Sequence, residues 1–201
     1  LGGTVESVSI AAVIRLSDVN SGNSSLTVNI INGTFLGVTY NHTVTLSNGD
    51  VVYSTDSWGG SVGAGTDSRY DVGQAFDGSN STTSWLPYHE GSATSPTTPG
   101  ALIYDFTEIV KIDRIYIMNG DNTTQNTAGI QVQHYTNTQW VDVLNPSSSG
   151  FSTNAVRSTL TITFDVIECR YWKVLVYPQA GKNATRISNI VLGSAGLNYF
   201  N

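Results

Sequence analysis

Apolar and polar positions along this chain alternate in short runs. Leu26, Val28 and Ile30 take every second place in one stretch, Val44 and Leu46 in another, and Ile115 and Ile117 in a third, while Val8 and Ile10 open an apolar run that ends at Leu16. Side chains two residues apart share one face of a strand, so this period sets an apolar row against a core and a polar row against water. No segment keeps an i, i+3, i+4 apolar spacing for three turns, and almost no helix is expected. Asn48-Gly49 lies between Val44/Leu46 and Val51-Val52-Tyr53. Asn-Gly accommodates the two positive φ values of a type I′ turn, so strands near 43–47 and 50–54 should pair antiparallel.

From Ser54 to Thr66 the composition shifts to Gly, Ser and Thr around Trp58. A boundary near residue 56 would separate an N-terminal β-hairpin region (1–56, a candidate for assembly contacts) from a main module (57–194) and a C-terminal tail (195–201). The same stretch can equally be a long loop within one continuous sandwich. Residues 92–99 and 147–150 read as surface loops. Only 12% of the 201 residues are charged, whereas Ser, Thr, Asn and Gly abound, as in rigid extracellular or virion β proteins. Residues 1–105 hold nine acids against Arg15 and Arg69, net −7, and the remainder six acids against seven bases, net +1. No Lys/Arg cluster can follow a phosphate backbone, which argues against a nucleic-acid partner. No apolar run approaches the roughly 20 residues that span a bilayer. The chain opens at Leu1, as a processed product or a fragment would. Cys169 is the only cysteine, forms no internal disulfide, and reads as a small buried residue of a strand. Six Asn-X-Ser/Thr triplets occur, but composition alone yields about four by chance, so glycosylation receives little weight.

Gln74-Ala75-Phe76-Asp77-Gly78, followed by the hydroxyl-rich 79–84 and by Trp85, is the most distinctive segment. Asp-Gly tolerates a positive φ, and the Ser, Asn and Thr side chains can bond the turn's own backbone, which makes a tight, oxygen-rich turn. It resembles the signature turn of discoidin-like domains, the group that includes the C-type domains of coagulation factors five and eight, galactose-binding carbohydrate modules and modules of phage tail proteins. Further segments match in order. Ala101 to Phe106 resembles the family strand ending in Asp, and Ile112 to Ile117 the next strand. Ile130 to Tyr135 with Trp140 to Val143 resembles the paired strands, Arg170 to Val176 the late Arg-Tyr strand, and Ile187 to Gly193 the closing strand. The resemblance covers roughly 57–194. It implies an all-β fold, an antiparallel jelly-roll β-sandwich of galactose-binding-like type, here with an additional N-terminal β region. It implies binding without chemistry. The lone Cys169 departs from the animal members, whose domain ends are usually joined by a disulfide, and suggests a bacterial or viral origin.

In the resembled modules a structural calcium ion is often held by the turn and by a late acidic side chain. Asp77, Thr83 and Asn189 are the corresponding candidate ligands. Compared with the commonest spacing of the family, one residue is inserted between Asp77 and Trp85, and Asn189 stands where many members have Glu, so the charge on a hard cation is reduced. Trp85, Trp140 and Trp172 fall in strand-like segments and are expected between the sheets. Trp58, Tyr70, Tyr88, His89 and Glu90 lie in polar or Gly-rich stretches, where a ring can support the C–H face of a sugar while polar groups take its hydroxyls. Lys182 and Arg186 could add donors. The histidines lack metal-pair spacing, Cys169 has no evident activator, and no glycine loop ends in Lys-Ser/Thr, so catalysis is not expected. The expected function is a non-catalytic virion protein (phage tail, fibre or capsid-decorating) or surface attachment protein that binds a glycan or host-surface polysaccharide. It would work within a homo- or hetero-oligomer of virion or assembly subunits, with no membrane insertion. The alternative is an accessory carbohydrate-binding module of a secreted bacterial glycosidase.

Overall fold

The computed structural model describes residues 33–40, 42–55, 70–78, 84–87, 91–92, 95–96, 99–147, 155–182, 184–194 and 197–198. Twelve strands appear among them: β1 Gly33–Phe35, β2 Val38–Tyr40, β3 His42–Thr45, β4 Val51–Ser54, β5 Gly91–Ser92, β6 Ser95–Pro96, β7 Gly100–Asn119, β8 Thr127–Tyr135, β9 Trp140–Ser147, β10 Thr159–Pro178, β11 Ile187–Ser194 and β12 Leu197–Asn198. Two 3-10 turns, Val72–Ala75 and Thr123–Gln125, accompany the strands. All strand pairing is antiparallel.

Two strands of 20 residues, β7 and β10, organise the sandwich because each serves both layers. Residues 100–105 of β7 pair with 171–176 of β10, and residues 110–118 pair with 159–169. The pairing breaks between Cys169 and Tyr171, opposite the segment where Thr107 takes φ +61. One layer then runs β3, β4, β7 (first half), β10 (second half), β8, β9. The other runs β12, β11, β7 (second half), β10 (first half). Alternate residues of both layers meet in a single core that contains Val52, Leu102, Tyr104, Trp172 and Val174 from the first and Ile112, Ile115, Ile117, Ile190 and Leu192 from the second. Trp85 and Trp172 are fully buried there, as their positions implied. Cys169 is buried and free, its thiol within reach of the Tyr135 carbonyl at 3.2 Å.

The hairpin near Asn48-Gly49 forms, with His42 opposite Ser54 and Thr45 opposite Val51, but its turn is not type I′. Gly49 alone is left-handed (φ +91), the Leu46 N–H donates to the Asp50 carbonyl (2.8 Å), and the loop is three residues long. The reason is local. The Asn48 carboxamide accepts the Asp50 N–H (3.1 Å) and donates to its carboxylate (2.8 Å), an Asx-type arrangement that competes with a left-handed Asn. Consecutive positive φ values occur instead at Leu36 (+47) and Gly37 (+77), between β1 and β2.

β4 pairs with β7, so the second hairpin is built into the first layer, while the expected boundary near residue 56 falls outside the described residues. The β1–β2 hairpin covers the outer face of that layer. Phe35 stacks on Tyr53 (4.3 Å between centroids) and meets Tyr171 edge-on (5.6 Å). The Trp140 indole N–H donates to the Leu36 carbonyl (2.8 Å). Trp140 therefore lies on the outer face, half-buried under Lys173, and not between the sheets as expected. Alternation identified its row, but not that this row had a cover of its own.

Candidate functional site

The strand registers give the sandwich two distinct ends. At one, β7 ends at Asn119, β8 begins at Thr127, β10 ends at Pro178 and β11 begins at Ile187. The chain crosses this end repeatedly, and its crossings are joined by main-chain hydrogen bonds. Trp85 and Ile187 exchange both of theirs (2.8 and 2.9 Å), Gly120 donates to the Arg186 carbonyl (2.8 Å), and Arg186 donates to the Gln125 carbonyl (2.7 Å). Asn119, buried, accepts the Thr127 N–H (2.9 Å) and donates to the Ser158 hydroxyl (2.9 Å). A loop end held this way can present side chains with little freedom left to lose.

Arg186 is the centre of the cluster. Its Nε donates to the Ser84 hydroxyl at 2.8 Å, its Nη1 pairs with the Asp121 carboxylate, and its guanidinium lies 5.3 Å from the Tyr70 ring centroid. Its side chain is only 12% exposed, while that of Asp121 is 31% exposed. The arginine is therefore fixed, and the carboxylate remains accessible to solvent. Gly120 is required by this packing. A Cβ at that position would meet Arg186 Cγ at 2.5 Å, too close for any other residue. Chemically the cluster combines planar donors, an accepting carboxylate and an aromatic ring, a set suited to polyhydroxylated ligands.

Of the residues singled out by sequence, Tyr70 and Arg186 are brought together. Lys182 is exposed in the turn after β10, where left-handed Gly181 (φ +75) reverses the chain. Trp58, Tyr88, His89 and Glu90 lie outside the described residues, although Pro87, adjacent to Tyr88, packs at this same end. Its carbonyl accepts the Thr185 N–H (3.4 Å), and its ring would clash with a Cβ at Gly100. Asp121 and Ser84 were not singled out. Nothing in the sequence ranks Asp121 above the other loop acids, because its role depends on β11 delivering Arg186 beside it.

Of the candidate calcium ligands, Asp77 is exposed after the first 3-10 turn, and Gly78 takes the expected left-handed conformation (φ +67). Asn189 lies in β11 opposite Met118, just past an irregularity in the register. Thr83 lies outside the described residues. No group of three or more His, Cys, Asp or Glu side chains gathers among the described residues. One carboxylate and one amide fall short of the six to eight oxygens that calcium takes, so these donors alone do not make a calcium site.

No family model matches the chain, and no curated protein matches it. Solved structures do. The F5/8 type C domain of a Bacteroides fragilis protein is 13% identical with a TM-score of 0.57, over 75% of this chain and 93% of that one. A family 32 carbohydrate-binding module of Clostridium perfringens NanJ, determined in complex with galactose, is 16% identical with a TM-score of 0.53, over 75% of this chain and 96% of that one. A Ruminococcus gnavus GH29 fucosidase, determined in complex with fucose, is 16% identical with a TM-score of 0.52 over 73% of this chain, which spans only 25% of the fucosidase. These likenesses, together with two antiparallel layers closed around buried Trp85 and Trp172, show that the chain has the galactose-binding-like β-sandwich fold of discoidin-like and family 32 carbohydrate-binding modules.

Proposed function

We propose that this chain is a non-catalytic carbohydrate-recognition module whose loop end, built on Tyr70, Ser84, Asp121 and Arg186, takes a sugar. The observation that carries this reading is the immobilised arginine, bound to Asp121 and Ser84 and packed on the Tyr70 ring. A pyranose hydroxyl both donates and accepts. Asp121 supplies the acceptor, the guanidinium the donor, and the ring a surface for the sugar's C–H face. Tyr88, His89, Glu90, Trp58 and Lys182 are proposed to complete the rim, and Asp77, Thr83 and Asn189 to hold a calcium ion with the carbonyls of the turn. The fold of the galactose-bound NanJ module supports the sugar class.

The setting is proposed as a virion or cell-surface attachment protein, extracellular in either case, as the low charge and the polar, Gly-rich loops suggest. A second reading, an accessory module of a secreted glycosidase, is favoured by the stretch of the Ruminococcus gnavus fucosidase that has this fold. The test is titration calorimetry with sugars first selected on a glycan array. Arg186→Ala and Tyr70→Ala are each expected to weaken binding about tenfold or more, the loss of one to two kcal/mol. Unchanged affinity in both variants, or an array on which the whole chain binds nothing, would overturn the assignment.

A further inference from the structure

Among the described residues, the second layer ends at an edge whose first stretch, 159–164, carries neither a charge nor a Pro. Residues 159–169 of β10 pair with β7 on one side, and β8 takes only residues 172–178 of the same strand, so among the described residues the other side of 159–169 has no partner strand. Edge strands are normally defended by inward charges, Pro or bulges that prevent pairing with another chain. Here the edge reads Thr159-Leu160-Thr161-Ile162-Thr163-Phe164, without a charge or a Pro. The first layer's edge strand β9, by contrast, carries Asp142 and Pro146. The threonines are exposed, whereas Leu160, Ile162 and Phe164 pack against the core yet stay half-buried. Among the described residues, no element covers the core along this side.

We propose that this edge is the interface with a second copy of the chain, paired antiparallel about a two-fold axis at Thr161. The sequence is self-complementary in that register. Thr161 faces its own counterpart, Thr159 faces Thr163, and Leu160 faces Ile162, so hydroxyls meet hydroxyls on the outside and aliphatic groups meet on the inside. The flanks obey the same symmetry. Val156 and Val166 are 53% and 58% exposed, and the axis brings each toward the other on the partner copy. Arg157, exposed, is brought toward exposed Asp165, and neither has an ion-pair partner among the described residues. Each of these off-axis contacts occurs twice. The break in register between Thr163 and Ile167 limits the ladder itself to the five residues 159–163, a usual strand length.

Sedimentation velocity on the full chain, over a wide range of concentration, tests the proposal. The wild type should sediment as a monomer–dimer equilibrium. Thr161→Lys sets two ammonium groups against each other at the axis and should yield monomer. Arg157→Asp sets an acid against Asp165 and should raise the dimer dissociation constant about tenfold, and adding Asp165→Arg should restore it, since the pair is only exchanged. All these positions are exposed, so thermal melting should report intact folding. Should the lysine variant nevertheless fail to fold, Thr161→Cys gives a second readout, a disulfide joining two copies at the axis under oxidation. A wild type that stays monomeric at the highest concentration, a dimer indifferent to Thr161→Lys, or a Thr161→Cys chain that does not cross-link would overturn the proposal.

Discussion

Two arginine–aspartate pairs lie at opposite ends of the sandwich, and they do different work. Arg170 and Asp105 sit where β10 and β7 cross between layers. Nε and Nη2 of the arginine reach the two carboxylate oxygens at 2.7 and 3.0 Å, and the Asp105 side chain is only 7% exposed against 40% for Arg170. The carboxylate also accepts the N–H of left-handed Thr107 at 2.8 Å, which supports the bend in β7. The bonded carboxylate holds the Arg170 guanidinium above its ordinary pKa. At the loop end the burial is reversed, with the arginine enclosed and the carboxylate accessible. An acid enclosed by a bidentate arginine is a fastening, whereas an acid left accessible beside an enclosed arginine is available to a ligand.

The sharpest way to break the comparison is Arg170→Ala. It strands a buried carboxylate at the bend, a loss that reaches 3–5 kcal/mol for fully buried pairs and should fall to about 2–3 kcal/mol here because Arg170 is partly solvated. The melting temperature should drop by about 5–10 °C for a domain of this size. Sugar affinity, measured well below the transition, should be unchanged. A change in affinity equal to that of Arg186→Ala would show that the two ends are coupled and that the division of labour is wrong.

How far each end was legible in the sequence follows from the same contrast. Asp105 and Arg170 each stand out because they interrupt strong strand patterns, at the end of Ala101 to Phe106 and at the start of Arg170 to Val176. Their mutual contact requires only that the strands pair. Trp85 and Trp172 were likewise legible, since an apolar row in a sandwich has one place to go. Trp140 was misplaced because its strand has a second apolar cover, the β1–β2 hairpin, which alternation within β9 cannot reveal. Asp121 was missed for a different reason. Loop positions carry no period, and its partner arrives from 65 residues downstream. Even the Asn48-Gly49 turn, recognised as a hairpin, took another geometry because one side chain bonded its own backbone.

A smaller effect is expected from the second fastening at the bend end. The Tyr104 hydroxyl, buried, donates to Asp50 Oδ2 at 2.7 Å, and burial raises its pKa far above the ordinary tyrosine value, so it stays a donor at any physiological pH. Tyr104→Phe keeps the ring contacts with Phe76 and Phe106 and removes one bond to a nearly buried carboxylate that Asn48 still serves. Urea unfolding should show a loss of about 1–2 kcal/mol with an unchanged m value. A neutral result would mean that Asp50 is satisfied by Asn48 and solvent alone, leaving Asp105–Arg170 as the stronger of these two fastenings.

The smallest effect concerns calcium, which would tie the turn after Phe76 to β11 near the loop end. Asp77 and Asn189 bring one charge between them, and weak charge on a hard cation means weak binding. Any stabilisation therefore depends on how far the free ion exceeds its dissociation constant, because a ligand stabilises only the state that binds it. Adding millimolar calcium to chelator-treated protein should raise the melting temperature by about 2–4 °C, equivalent to roughly 1 kcal/mol, and Asp77→Ala should abolish that rise. Magnesium should not substitute, since it surrenders its water reluctantly and demands a tighter, more regular octahedron than calcium. If the melting temperature ignores calcium in the wild type, the loop end owes its order to protein contacts alone, and the oxygen-rich turn only caps the chain.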